Sequence, residues 1–131
     1  MASSISVLWV DDASGMQLIY STLLRALDLS AFRGAGTAER ALSLVRDHRF
    51  NLVLLVETLP DGDGLPLARD IRTSRGPSSG ARIVLVSGRD SSHLRRHRDA
   101  MHVDAFLIKP VTARALRHEL LQLPVDEAHG S

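Results

Sequence analysis

The chain contains no cysteine. Disulfides, thiol nucleophiles and cysteine-ligated metals are therefore excluded. No apolar run approaches the ~20 residues that a membrane-spanning helix needs. The opening "MASSISVLWV" carries no basic segment and passes directly into strand-like sequence, so no signal peptide is expected. Aromatic residues make up 4% of the chain, and the formal net charge is +1. A charge so near zero says little about partners. Together these features fit a cytoplasmic protein. Lysine is scarcer still. Of the 16 basic residues the only lysine is Lys109, in "FLIKP". Arginine is a broad planar fork, whereas lysine is a compact charge on a thin stem, so a single lysine marks a place to examine.

The 131 residues, 44% of them hydrophobic, suit one domain around one core. "ISVLWV" (Ile5–Val10) is a continuous apolar run ended by Asp11 and Asp12, which predicts a buried parallel strand. Ser14 and Gln17 have capping-box spacing, and Met16, Ile19, Leu23, Leu24 and Leu27 follow at helical intervals. "AFRGAG" is a weaker strand leading to a turn. Thr37 can cap a helix that buries Ala38, Ala41, Leu42 and Val45. "NLVLLV" is a third strand, followed by the turn-rich "LPDGDG" and a helix with Leu67, Ala68 and Ile71. "ARIVLVSG" is a fourth strand. Asp90 can cap a helix from about Ser91 to Met101. "AFLIKP" is a fifth strand stopped by Pro110, and Thr112 caps a last helix with Ala113, Leu116 and Leu120 on one face. Residues 1–123 form the expected domain, and 124–131 read as a frayed tail or cut linker.

Five β–α units in strict alternation predict an α/β fold, a doubly wound five-stranded parallel sheet of flavodoxin-like order 2-1-3-4-5. In such a sheet the site lies beyond the carboxyl ends of the strands, at the switch point. Those ends carry Asp11 and Asp12 after strand 1, Val56 then Glu57 and Thr58 after strand 3, Ser87 after strand 4, and Lys109 after strand 5. Two carboxylates, a hydroxyl and the sole lysine thus share one edge. This chemistry suits a hard divalent cation beside a phosphoryl group: Mg²⁺ takes carboxylates and waters, and an ammonium and a hydroxyl can hold the phosphoryl oxygens. A nucleophilic carboxylate of the aspartyl-phosphate type is missing.

With these residues in place, the chain from about Ile5 to Leu123 resembles the receiver domain of two-component signalling, the chemotaxis-type response-regulator family. The resemblance implies that Asp11, Asp12 and the Thr58 carbonyl form the metal site. It makes Ser87 and Lys109 the phosphate-binding pair, and Phe106, three residues before the lysine, the switch aromatic. The family's phosphoacceptor aspartate lies four residues before a proline and eight before a glycine. Pro60 and Gly64 therefore put Val56 in its place. Valine has no oxygen to accept a phosphoryl group or ligate a metal. Since consecutive strand side chains alternate, Glu57 is expected to aim away from the pocket. Replacing one of three clustered carboxylates by valine removes repulsion and weakens or abolishes Mg²⁺ binding. The expected function is an atypical receiver acting in a phosphorelay as a protein–protein interaction module, with no turnover. One alternative is an ordinary phospho-receiver carrying an introduced Asp-to-Val substitution at position 56. Another is a phosphohydrolase, but the adjacent Asp11 and Asp12 point in different directions, which disfavours attack by one with acid/base help from the other. A flavin module lacks its phosphate loop and aromatics.

The resemblance also implies a partner face on the fourth helix, fifth strand and fifth helix, for a protein such as a histidine kinase or output protein, or for a second copy in a homodimer. Arg95, Arg96 and Arg98, extended by Arg114 and Arg117, give it a basic character. No aromatics interleave to stack on bases, which disfavours nucleic acid. His93 and His97 have metal-ligand spacing without a third ligand. "GAGTAER" lacks the third glycine of a dinucleotide fingerprint and reads as a turn. "DGDG" lacks the ligands of a calcium loop and reads as a loop. Trp9 reads as a core residue.

Overall fold

The computed structural model describes residues 5–88 and 102–124. Seven strands and four helices occur among them. The strands are β1 (Ser6–Val10), β2 (Ala31–Ala35), β3 (Leu52–Val56), β4 (Thr58–Leu59), β5 (Gly62–Asp63), β6 (Arg82–Ser87) and β7 (Ala105–Ile108). The helices are α1 (Met16–Ala26), α2 (Ala38–Asp47), α3 (Gly64–Thr73) and α4 (Ala113–Leu121). The main sheet has the order β2-β1-β3-β6-β7, and each of its pairings is parallel. This is the flavodoxin-like arrangement expected. The numbering differs because β4 and β5 form a small antiparallel hairpin within "TLPDGD". The predicted helix at 91–101 and nearly all of the predicted tail lie outside the described residues.

β3 is the central strand, and all five of its residues are buried. Its pattern has no polar alternation because both faces are covered by helices. α1 packs beside α4, and α2 beside α3. Core side chains such as Leu52, Leu54, Ile83 and Leu85 are fully buried, each contributing about 1.5–3 kcal/mol relative to exposure. Two predicted caps form: Thr37 Oγ1 accepts from the Arg40 amide and Thr112 Oγ1 from the Ala115 amide, both at 3.1 Å.

α1 departs from the expectation. Its N-cap is Gly15 at φ 86°, with no side-chain cap, so the Ser14–Gln17 box does not form. The left-handed backbone at Gly15 starts the helix one residue later than the box requires. The buried face also turns: Tyr20, Ser21 and Leu24 point inward, while Leu18 and Ile19 are 70% and 47% exposed. Tyr20 turns inward to stack on Trp9, with ring centroids 5.6 Å apart. Trp9 in turn lies beside Phe32, at 5.5 Å, and over Gly34, its register partner in β2. A Cβ at Gly34 would run into the indole ring. Gly34 therefore belongs to the strand and makes room for the tryptophan; it is not a turn residue.

Candidate functional site

The carboxyl ends of β1, β3, β6 and β7 bring most of the expected site residues to one edge. Asp11 follows β1. Its carboxylate is buried and each oxygen is occupied: Oδ1 accepts from the Ala13 amide at 2.9 Å, and Oδ2 from the Tyr20 hydroxyl at 3.2 Å. Lys109 Nζ lies 3.3 Å from the same Oδ2. Burial, then the neighbouring Asp11 charge and its hydrogen bond, push the Tyr20 hydroxyl well above its ordinary pKa. Asp12, one residue on, is exposed. A groove of about 750 Å³ runs from these two aspartates past Gly36 and Thr37 to Arg25 and Phe32. Val56, Ser87 and Lys109 do not line it.

Val56 closes β3 and is only 6% exposed. It pairs with Val86 across the sheet. Gly64 approaches this strand end so closely that a Cβ would meet the Val56 carbonyl and the Leu55 side chain. The Gly64 amide donates to the Glu57 carbonyl at 2.8 Å. Thr58 belongs to the small hairpin and is exposed.

Glu57 does not aim away from the edge. Its Oε1 accepts from the Ser87 hydroxyl at 2.9 Å. Pleat alternation does turn Glu57 away from Val56, but the register decides what it meets. Val56 sits opposite Val86, so Glu57 falls next to Ser87 on the same side of the sheet. The Glu57 amide continues the ladder by donating to the Val86 carbonyl at 3.2 Å. Nothing within β3 alone reveals the β3–β6 register, so this contact was not legible in the sequence. Ser87 is 4% exposed, and its carbonyl accepts from the Lys109 amide at 2.8 Å. One connected path therefore links Glu57, Ser87, Lys109, Asp11 and Tyr20.

Phe106 is half-buried and packs against the core. Arg114 and Arg117 are both exposed on α4. Arg95, Arg96 and Arg98 lie outside the described residues, as do His93 and His97. Asp61 was not singled out by the sequence beyond its loop. Its carboxylate accepts from the Ala38 amide at 2.8 Å and the Glu39 amide at 3.0 Å. It thus caps α2 from the β4–β5 turn, and these two bonds hold its carboxyl below the ordinary carboxylate pKa.

Residues 7–121 match the family model for the response regulator receiver domain. The chain belongs to this family. The receiver is also 34% identical over 119 residues to the transcriptional regulatory protein CitT of Bacillus subtilis (strain 168), covering 90% of this chain and 51% of that protein. It therefore spans about half the length of that relative. Among solved structures, the receiver resembles a CheY-like receiver domain protein from Methanospirillum hungatei JF-1, with a TM-score of 0.78 and 25% identity over 90% of this chain and 91% of that one. It shares its fold with the chemotaxis protein CheY4 of Vibrio cholerae, with a TM-score of 0.82 and 19% identity over 92% and 98% of the two chains. It does so also with the receiver domain of the sensor histidine kinase PA1611 of Pseudomonas aeruginosa PAO1, at a TM-score of 0.79 and 20% identity over 91% and 96%. The latter carries a magnesium ion in its active site cleft. The chain is thus a receiver domain of a two-component system, and no helix among the described residues is long and apolar enough to cross a membrane.

The donor set of this receiver does not fit a firmly held Mg²⁺. Both Asp11 oxygens already take protein donors, and Val56 offers no oxygen. Among the described residues no three acidic or histidine side chains come together as a metal-binding group. Mg²⁺ demands near-ideal octahedral oxygen geometry, and Asp12 with a backbone carbonyl is a thin foundation for it.

Proposed function

We propose that this receiver is an atypical signalling module that works through protein contacts, without phosphorylation at the usual site and without turnover. The observation that carries the reading is the buried hydrocarbon of Val56 at the end of the central strand, in the place where the family pattern calls for the acceptor aspartate. An oxygen-free side chain forms no acyl phosphate. The occupied Asp11 supports the same reading. Its ties to Lys109, Tyr20 and the Ala13 amide satisfy the carboxylate without a cation. In this reading Lys109 neutralises Asp11 where a relative would use it on a phosphoryl oxygen.

The partner is a protein of the two-component system, docking on the face formed by β7 and α4. Phe106 on β7 and Arg114 and Arg117 on α4 belong to that face. An acidic partner surface would complement the two arginines. The cytoplasm is the compartment consistent with a chain of this composition.

The test uses Mg²⁺ and beryllofluoride, a phosphoryl mimic, with amide NMR as the readout. The native chain should show no saturable shifts at Asp11, Asp12, Ser87 or Lys109. The Val56→Asp variant should respond in the presence of Mg²⁺. Its unfolding midpoint should also rise with Mg²⁺, by the equivalent of about 2.7 kcal/mol at a hundred times the dissociation constant. A native chain that responded as fully as the variant would refute the reading.

A further inference from the structure

We propose that Glu57 is a built-in acceptor for Ser87, which sets the ends of β6 and β7 in one state without a phosphoryl group. The proposal rests on the reading of Val56 given above and extends it to regulation. Ser87 is a buried hydroxyl of the strand-end cluster, and a carboxylate beside it can accept its hydrogen bond. The side chain at position 56 cannot serve, being a valine. The next residue does, through the 2.9 Å bond from Ser87 Oγ to Glu57 Oε1. Hydrogen bonds to an ionised carboxylate are roughly twice as strong as neutral ones.

The acceptor also stands on a fixed base. The Glu57 amide is bonded to the Val86 carbonyl and its carbonyl to the Gly64 amide. The backbone that carries the carboxylate is therefore tied to β6 on one side and to the start of α3 on the other. From Ser87 the constraint passes on, because the Ser87 carbonyl takes the Lys109 amide and the Lys109 ammonium meets Asp11. The carboxylate has a second effect. A phosphoryl donor is an anion, and a fixed negative charge on the Ser87 hydroxyl opposes its approach. Glu57 thus holds the hydroxyl and guards it.

The experiment is a double-mutant cycle on the full chain, using Glu57→Ala, Ser87→Ala and the pair, read by urea unfolding, with amide NMR of each variant. The two effects should be strongly sub-additive, the unfolding constants departing from their simple product by about tenfold or more. Glu57→Ala should also move the amide signals of Gly88 and Lys109, which lie beyond Ser87 on the path. Ser87→Thr, which keeps the hydroxyl, should leave those signals near their native positions and keeps the test usable if an alanine variant folds poorly. Additive effects would overturn the proposal, and so would unmoved Gly88 and Lys109 signals in Glu57→Ala. Those results are distinct from failure of the Val56 reading, which shows as a beryllofluoride response of the native chain.

Discussion

At the scale of single residues, apolar packing and charge meet at the end of the central strand. Val56 contributes apolar contact at the end of the central strand, and the Glu57 carboxylate beside it accepts from the Ser87 hydroxyl. The first of these was legible: the apolar run "NLVLLV" marks Val56 as the end of a buried strand without any structure. The second was not, because it depends on which residue of β6 stands opposite. The same holds for the pair that ties β6 to α4. Arg82 Nε lies 2.8 Å from Glu119 Oε1, and Glu119 is only 4% exposed. Removing one partner leaves a buried charge uncompensated. Arg82→Ala should therefore destabilise the domain by about 3 kcal/mol, and adding Glu119→Leu should recover much of the loss, because a well-packed apolar residue replaces such a pair at little cost. Chemical denaturation of the three variants measures both effects, and equal stability of Arg82→Ala and the native chain would count against the pairing.

At the scale of elements, five strands and their order followed from apolar runs and alternation, since a parallel strand buried on both faces leaves an unbroken hydrophobic signature. Helix ends were read less well. Thr37 and Thr112 cap as their positions suggest, because the hydroxyl acts on its own helix. Gly15 displaced the expected cap of α1, and Tyr20 took the inward place given to Ile19, since the aromatic stack with Trp9 is set by the neighbouring strand. The second tie at the start of α2 is likewise non-local, with Asp61 reaching over from the β4–β5 turn. Its carboxyl is held below the ordinary value of 3.8. Its contribution is therefore complete above that value, declines as pH falls past it, and is gone below the folded-state pKa. The native chain should accordingly be more stable than Asp61→Ala at neutral pH, with the difference closing on strong acidification. A gap that persisted unchanged through the acid range would show that the carboxylate charge is not what holds α2.

At the scale of the whole molecule, the sheet gathers distant chain segments at one edge, and the site's path from Glu57 to Tyr20 crosses four of its strands' ends. Tyr20, the chain's one tyrosine, reports on that assembly. Its hydroxyl is raised by burial and by Asp11, so the folded chain keeps it protonated where the unfolded chain ionises near 10.0. Stability from this group is full below that pH and is lost as pH rises beyond it toward the folded-state value. Tyrosinate absorbance should appear together with unfolding seen by tryptophan fluorescence. Ionisation near the ordinary value in a still-folded chain would contradict the buried Tyr20–Asp11 contact.

The most direct measurement of the account as a whole is intact-mass analysis after incubation with Mg²⁺ and acetyl phosphate, for the native chain and Val56→Asp side by side. The account predicts no phosphoryl adduct on the native chain and a hydroxylamine-labile adduct on the variant. A phosphoryl group recovered from the native chain and mapped to this strand-end cluster would contradict it.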